Sequence, residues 1–342
     1  MTTRPYVRVV VLDYDGGALT LDCLDSLAQT EWPADRMEVV LVVNGSLDDI
    51  LDEVRRRHPR VRVLEPLANL GFAGGCNLGI SAVGEWDHVA LVNNDAVVEP
   101  GWLAPLVDAV EADPLVGAAA AKILLAERYV GIRVDVPEAG AVPGGDGRRL
   151  GVEVVGVRLD GERDDARVST DEGFHAPDPP GPGEEMARWS GRSGALRIEV
   201  DGDRSAPSRV ALRLRAPARR TVSLASEASS GSGAGAGTAV VAEVGVEPLW
   251  VDGRLGGEPF AVVNNAGSSL FAGGYAGDRG FLEPDVGQFD EPCDVFAWCG
   301  GGVLLRREYL ADVGLFDERL FLYYEDTDLS WRWRTSASGT YE

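Results

Sequence analysis

The sequence predicts an α/β protein in which a parallel sheet flanked by helices is interrupted by a β-rich insertion. Three observations carry this. Continuous apolar, β-branched runs alternate with helical periodicities as far as residue 125. From about Ala126 to Gly257 the helical period fades, and Gly, Pro, Ser and Arg rise. From Glu258 the alternating α/β character returns. The expected domains are therefore 1–125 together with 258–342, discontinuous in sequence, and 126–257, an antiparallel β-sandwich-like insertion.

Taken in order, "VRVVVL" (Val7–Leu12) reads as a strand buried on both faces. "LTLDCLDSLAQT" follows with Leu21, Leu24 and Leu27 at helical spacing. "EVVLVV" (Glu38–Val43) is a second strand, "LDDILDEVRRR" a second helix and "VRVLE" (Val61–Glu65) a third strand. A Gly-rich turn and a short helix around Asn77–Val83 lead to a fourth strand, "DHVALVN" (Asp87–Asn93). Short connections between such elements make the sheet parallel, and ligands then gather at the carboxyl ends of its strands. In the insertion, "ALRIEVDG", "RVALRLRAP" and "RTVSLASE" alternate as antiparallel strands do. "SSGSGAGAGT" (Ser229–Thr238) reads as a flexible loop between them. Trp189, Trp250 and Phe174 are expected as core residues of this block, with sugar contact the alternative. The insertion is expected to act structurally or to orient an acceptor. "SASGTYE" is unlike a natural domain ending, so the chain is expected to be a truncated piece.

Bulk properties exclude some functions. A formal charge of −23 argues against nucleic-acid binding, which needs a basic face. It leaves a phosphate-bearing small ligand open, since a metal ion and backbone amides can carry that contact. Cys23, Cys76, Cys293 and Cys299 form no C-x-x-C pair, which favours a reducing, cytoplasmic setting. No secretory signal or apolar run long enough to span a bilayer is visible, so any membrane association is expected to be peripheral.

Polar clusters close successive strands: "LDYDGG", "NGSLDD", "NLGFAGGCN" and "VNNDA", with "YYEDTD" far downstream. An Asp or Asn in such a place serves turn chemistry more often than catalysis. Asp13 and Asp15, after a hydrophobic run, also fit the nucleophile loop of a haloacid-dehalogenase-type phosphatase. That reading can draft Ser46 and Lys122, but no strand ending in an acidic pair follows Lys122, and the other clusters stay unexplained. The glycines at 71, 74, 75 and 79 do not make G-x-G-x-x-G; they admit either close backbone approach or a phosphate-facing loop. Asn93, Asn94 and Asp95 offer hard oxygens suited to Mg²⁺ or Mn²⁺, or else an Asx turn. Asp326 can be a general base, while Glu325, Asp326 and Asp328 also suit the positive end of a helix.

Taken together, "VVVLDYDGG", "LVVNGS", "NLGFAGGCNLGI", "LVNNDAVVEPGWL" and "GGGVLLRREYLADVGLFDERLFLYYEDTDLSWR" resemble, in this order, the family-two nucleotide-sugar glycosyltransferases of GT-A fold, closest to bacterial rhamnosyltransferase-like members. The resemblance covers about 6–125 and 260–334. It implies a Rossmann-like nucleotide-diphospho-sugar fold and an inverting, metal-assisted single displacement onto a hydroxyl of a glycan or lipid-linked acceptor. It implies that Leu12, Asp13, Tyr14 and Asn44 line the base and ribose pocket, with Asn69, Gly74 and Asn77 around the nucleotide. Asn93, Asn94 and Asp95 stand at the family's Asp-x-Asp motif, which makes Asp95 the metal ligand and Asn93 a weaker first position. Trp298, Gly300 and Gly301 would wall donor from acceptor, and Asp326, paired with Glu325, would be the catalytic base. A cytoplasmic location at the inner face of the membrane, in cell-envelope polysaccharide synthesis, follows from the same resemblance.

The chain departs from the family pattern at Val43, where an acid is usual, and at Asp13 and Asp15, where Asn is usual. A downstream His of the metal site would fall beyond Glu342. Two rival readings are a nucleotidyltransferase of similar topology and a glycosyltransferase-like carbohydrate-binding or scaffold protein without catalysis.

Overall fold

The computed structural model describes residues 4–46, 50–141, 147–170, 173–176, 186–200, 207, 209–226, 239–253 and 258–336. The expected loop at 229–238 and the last six positions, 337–342, lie outside these residues. The chain divides into two compact units. One comprises Met1–Ile123, Asn264–Phe281 and Phe289–Glu342; the other comprises Leu124–Val263 and Leu282–Gln288. Composition alone puts 258–263 and 282–288 with the first unit, whereas the backbone joins them to the second. The reason is pairing: the Val263 amide donates to the Glu283 carbonyl at 2.9 Å, and the Asp285 amide to Ala261 at 2.9 Å.

The first unit is a three-layer α/β structure. Its strands are β1 (Val7–Asp13), β2 (Met37–Val43), β3 (Arg62–Leu64), β4 (His88–Asn93), β5 (Ala118–Ala120) and a sixth segment, Gly302–Arg306. They lie in the order β3, β2, β1, β4, Gly302–Arg306, β5. β1 pairs in parallel with β2 and β4, and only Gly302–Arg306 runs antiparallel to its neighbours. The strand order reverses at β1, with β2 on one side and β4 on the other, and sheets of this kind bind ligands past the carboxyl ends of the strands at such a switch point.

Both faces of the sheet are covered, which is why these strands read as unbroken apolar runs. Val7, Val9 and Val11 pack with Leu24 and Leu27 of α1 (Ala18–Leu27). Val54 of α2 (Leu51–Arg57) and Val107 and Val110 of α4 (Leu103–Ala112) complete that layer. On the other face Val10, Val40 and Val42 pack with Ala73, Cys76 and Ile80 of α3 (Gly71–Ile80). Tyr309 and Leu310 of α5 (Arg307–Val313) and Leu329 of α6 (Glu325–Ser336) join them.

One helix starts earlier than its periodicity suggests. The glycines expected to form a turn before Asn77 lie inside α3. Glycine disfavours helix by about 1 kcal/mol against alanine, but here it lets the helix touch the sheet. A Cβ on Gly75 would stand 2.3 Å from Leu12, and one on Gly79 would stand 2.4 Å from Val10.

The second unit has two antiparallel sheets. One is ordered Glu162–Arg163, Glu153–Leu159, Val210–Arg215, Leu249–Gly253; the other contains Val168–Thr170, Ser193–Val200, Ile123–Asp135, Arg220–Ser226 and Val240–Val244. Inward residues of both, among them Val154, Leu212, Ile132, Leu196 and Leu224, form one core. Phe174 packs against this core. Trp250 is only half-buried.

Candidate active site

The polar clusters close β1, β2 and β4 at one level, because Asp13 registers with Val43 and Leu12 with Asn93. Asp13 is fully buried. Its Oδ1 accepts from the Thr20 hydroxyl at 2.6 Å, from Asn94 Nδ2 at 3.3 Å and from the Gly16 amide at 3.3 Å. Its Oδ2 accepts from the Ser46 hydroxyl at 2.5 Å. Asp13 thus ties the end of β1 to α1, to the loop after β2 and to the turn after β4. Its charge is turned inward rather than toward a diphosphate. Both oxygens are engaged, so the carboxylate is not free to attack a phosphoryl group. Asp15 takes φ 54°, Tyr14 beside it is exposed, and Val43 is a core residue.

A second knot fixes the start of α3. Asn44 is buried; its Nδ2 donates to Asn69 Oδ1 and to the Gly71 carbonyl, both at 3.0 Å. Its Oδ1 accepts from the Leu70 amide at 2.9 Å. A third knot is Asn77, whose Nδ2 donates to the Phe316 carbonyl at 3.0 Å and to Glu318 Oε1 at 3.1 Å, while its Oδ1 accepts from the Phe316 amide at 3.0 Å. Gly74 is buried between Leu70 and Glu318. These residues hold backbone at this end of the sheet, and their side-chain amides are largely satisfied within the protein.

The turn Trp298–Gly302 lies against the same end of the sheet. The Asn93 amide donates to the Gly301 carbonyl at 3.2 Å, and a Cβ on Gly300 would stand 2.9 Å from Phe72. Trp298 is buried, edge-on to Phe316 with centroids 6.0 Å apart. Beside it α6 presents Asp326, half-buried, which accepts from the Thr327 amide at 2.6 Å. Burial raises the Asp326 carboxyl above its ordinary value; hydrogen bonds from Thr327 and the Gly300 amide oppose, and the Asp278 charge adds. Glu325 is 6 % exposed, and its Oε2 has no hydrogen-bond partner. Burial pushes Glu325 up to about 7, its own amide opposing and Asp326 adding. The Cys299 thiol is raised by burial and by the charges of Asp326, Asp278 and Glu325, against a backbone hydrogen bond at Gly301.

The approach to these carboxyls is strained. Tyr323 and Tyr324 take φ 69° and 66°, unusual for two consecutive non-glycine residues. Each such residue costs about 1–3 kcal/mol and persists only where the surroundings impose it. α6 is held by Arg332, which donates to the Leu315 carbonyl at 2.8 Å and to Asp328 at 2.9 Å, and by Arg334, which donates to the Phe296 carbonyl at 2.8 Å.

Asp95 follows β4 with its carboxylate exposed. Among the described residues no group of three His, Cys, Asp or Glu side chains is placed to hold a metal ion. One free carboxylate at the end of a strand still fits Mg²⁺ or Mn²⁺ of the kind that keeps its waters and is carried by phosphate oxygens. Asn94 Nδ2 donates to Asp13 and Thr20, which fixes the orientation of its amide beside Asp95 in sequence.

The structure therefore brings Asp13 to Asn94, Asn44 to Asn69, Asn93 to Gly301 and Asp326 to Gly300, while Asp95 stands apart from these bonds. Sequence reasoning missed Thr20, Asp278 and Glu318 as members of the site. Nothing in their local patterns marks them, because only the tertiary fold brings them there.

A sheet with its switch point at β1 and β4, an acidic turn after β4 and a carboxylate-bearing helix behind a glycine turn fit the expected α/β class of GT-A fold. Residues 9–124 match the family model for glycosyl transferase family 2. It is 35% identical over 121 residues to an N-acetylglucosaminyl-diphospho-decaprenol L-rhamnosyltransferase of Mycobacterium tuberculosis, covering 32% of this chain and 38% of that protein. It is 22% identical over 136 residues to an uncharacterized glycosyltransferase of Haemophilus influenzae, covering 39% of this chain and 41% of the other. The chain thus spans about two-fifths of the length of the curated relatives it matches. Among solved structures, it is similar to the mannosyltransferase PcManGT of Pyrobaculum calidifontis in complex with GDP-Man and Mn²⁺, with 31% identity, TM-score 0.33 and coverage of 36% of this chain and 37% of that one. S. aureus TarS in complex with UDP is 23% identical, with TM-score 0.29 and coverage of 31% and 32%.

Proposed function

We propose that this chain is an inverting glycosyltransferase that moves a sugar from a nucleotide-diphosphate donor to a hydroxyl of a glycan or lipid-linked acceptor. The observation that carries this is Asp326: a solvent-reachable carboxylate of raised proton affinity, fixed by the Gly300 amide and by a firmly anchored helix. The donor lies across the ends of β1, β2 and β4, over Leu12, Tyr14 and the loops held by Asn44, Asn69 and Asn77. Trp298, Gly300 and Gly301 separate it from the acceptor.

Asp326 takes the proton of the acceptor hydroxyl as that oxygen attacks the anomeric carbon from the face opposite the leaving group. The bond to the diphosphate oxygen breaks in the same displacement, so configuration inverts and no covalent enzyme intermediate forms. Raised proton affinity makes Asp326 a stronger base than a free aspartate. Asp95 would hold Mg²⁺ or Mn²⁺, which when bound would neutralise charge on the departing nucleoside diphosphate. The name of the mycobacterial relative supports a polyprenyl-diphosphate-linked acceptor. Such an acceptor places the protein at a membrane surface, and no helix among the described residues is long and apolar enough to cross one.

The test is a transfer and hydrolysis screen across nucleotide sugars with Mn²⁺. Asp326→Asn should lower turnover by roughly 10²–10⁴-fold, and Asp95→Asn should weaken the metal dependence. The acidic limb of the rate profile should lie above the ordinary range of an aspartyl group. Activity surviving both substitutions overturns the assignment.

A further inference from the structure

We propose that the outer face of the sheet built on Glu153–Leu159, Val210–Arg215 and Leu249–Gly253 is a binding platform for an anionic, carboxylate-bearing glycan. All of its residues belong to the second unit. Along these strands the inward positions, Val154, Val157, Leu212, Leu214 and Val251, fill the core. The alternate positions put Gly156, Arg158, Arg213 and Trp250 on the opposite face, with Arg213 registered to both Gly156 and Trp250.

Trp250 lies flat on this face. Its Cη2 is 3.5 Å from where a Gly156 Cβ would stand, although Gly156 lies two strands away. That separation is about 9–10 Å, so the indole spans the middle strand and the missing side chain at Gly156 makes room for it. The Arg158 guanidinium sits 4.1 Å from the indole centroid. Arg158 is exposed, so the ligand meets its planar fork with the aromatic ring behind it.

The charges here are frustrated. Arg163 is registered directly opposite Arg158, and like charges in that position destabilise a sheet. Arg213 is the diagonal neighbour of Arg158, about 7–8 Å away by strand geometry. Arg163 is balanced by Asp165 at 2.8 Å, but no carboxylate pairs with Arg158 or Arg213 among the described residues. A chain of net charge −23 has acids to spare for neutralising arginines, so two left unpaired beside a third mark a place for an external anion. Guanidinium forks match carboxylates in bidentate fashion, and the half-buried indole edge offers an apolar surface to a sugar ring. The long-range field of so acidic a chain opposes long polyanions, which favours a short oligosaccharide over nucleic acid. The choice of a glycan rests on the glycosyltransferase reading; the anion site itself does not.

The test is calorimetric titration of the whole chain with oligogalacturonate, its methyl ester and oligoglutamate of equal charge, without any nucleotide sugar. The expected result is binding of oligogalacturonate alone, weakened roughly tenfold (about 1.4 kcal/mol) by Arg158→Gln and by Arg213→Gln, and retained in Asp326→Asn. Arg158→Gln and Arg213→Gln should keep the wild-type circular dichroism. No binding, equal binding of the ester or of oligoglutamate, or affinities unchanged in both arginine variants would each overturn the proposal. Loss of transferase activity in Asp326→Asn with glycan binding intact separates the two proposals.

Discussion

Glu325 carries the sharpest consequence at the scale of single residues. Its carboxyl is raised from the ordinary 4.5 to about 7 by burial, so the native state holds this proton more tightly than the unfolded chain does. Stability from this group is therefore full below the unfolded value and is lost as pH rises through about 7. A shift of that size corresponds to roughly 3 kcal/mol. Glu325→Gln mimics the protonated form, so its advantage over wild type should grow from pH 5.5 to pH 8.5, approaching ~3 kcal/mol. Urea midpoints at the two pH values check this; an equal gain at both would show that Glu325 does not titrate in the native protein. Asp13 and Asp326 show how far residue type is legible in a sequence. "DYDG" and "YYED" both end apolar runs in acid, and nothing local separates them. The fold does: Asp13 is enclosed by Thr20, Ser46, Asn94 and Gly16, while Asp326 stays half-buried beside the Gly300 amide. Partners such as Thr20 and Asp278 are invisible in sequence because tertiary contact alone makes them partners.

Among the elements, α3 is the one whose sequence signals conflict. Its glycines argue for a turn by propensity, yet packing makes them helical because only glycine lets α3 lie against β1. Two magnitudes decide the effect of filling that space. Gly79→Ala gains about 1 kcal/mol of helix propensity, but its Cβ would meet Val10 at 2.4 Å. Overpacking of this kind costs about 1–3 kcal/mol or more, so the net change should be a loss. Gly101→Ala serves as control, because no atom lies within 4 Å of the Cβ it adds. Thermal melts should show a lower Tm for Gly79→Ala and almost none of that change for Gly101→Ala. A more stable Gly79→Ala would mean that α3 does not press on β1 as closely as described. The strands with unbroken apolar runs, β1, β2 and β4, are legible to within a residue or two for the opposite reason: propensity, burial pattern and packing agree there.

For the whole molecule, the informative feature is two separate hydrophobic cores, one in the sandwich and one divided between the faces of the α/β sheet. Composition reveals the change of architecture near residue 126 but not that Leu282–Gln288 returns to the second unit, since that short stretch is drawn there by backbone pairing with the strand near Val263. Two cores predict two cooperative transitions in calorimetry, each sensitive to its own ligand. A ligand that binds only the native state adds RT ln(1 + [L]/Kd), about 2.7 kcal/mol at a hundredfold excess over Kd. For domains of ordinary size this raises a melting temperature by several degrees. Nucleoside diphosphate with Mn²⁺ should therefore raise the transition of the α/β unit and leave the other in place, and Asp95→Asn should diminish that shift. Oligogalacturonate should raise the sandwich transition, and Arg158→Gln should diminish it. A single transition that both ligands move together would mean that the units melt as one, and the two ligands would then be assigned by the substitutions alone.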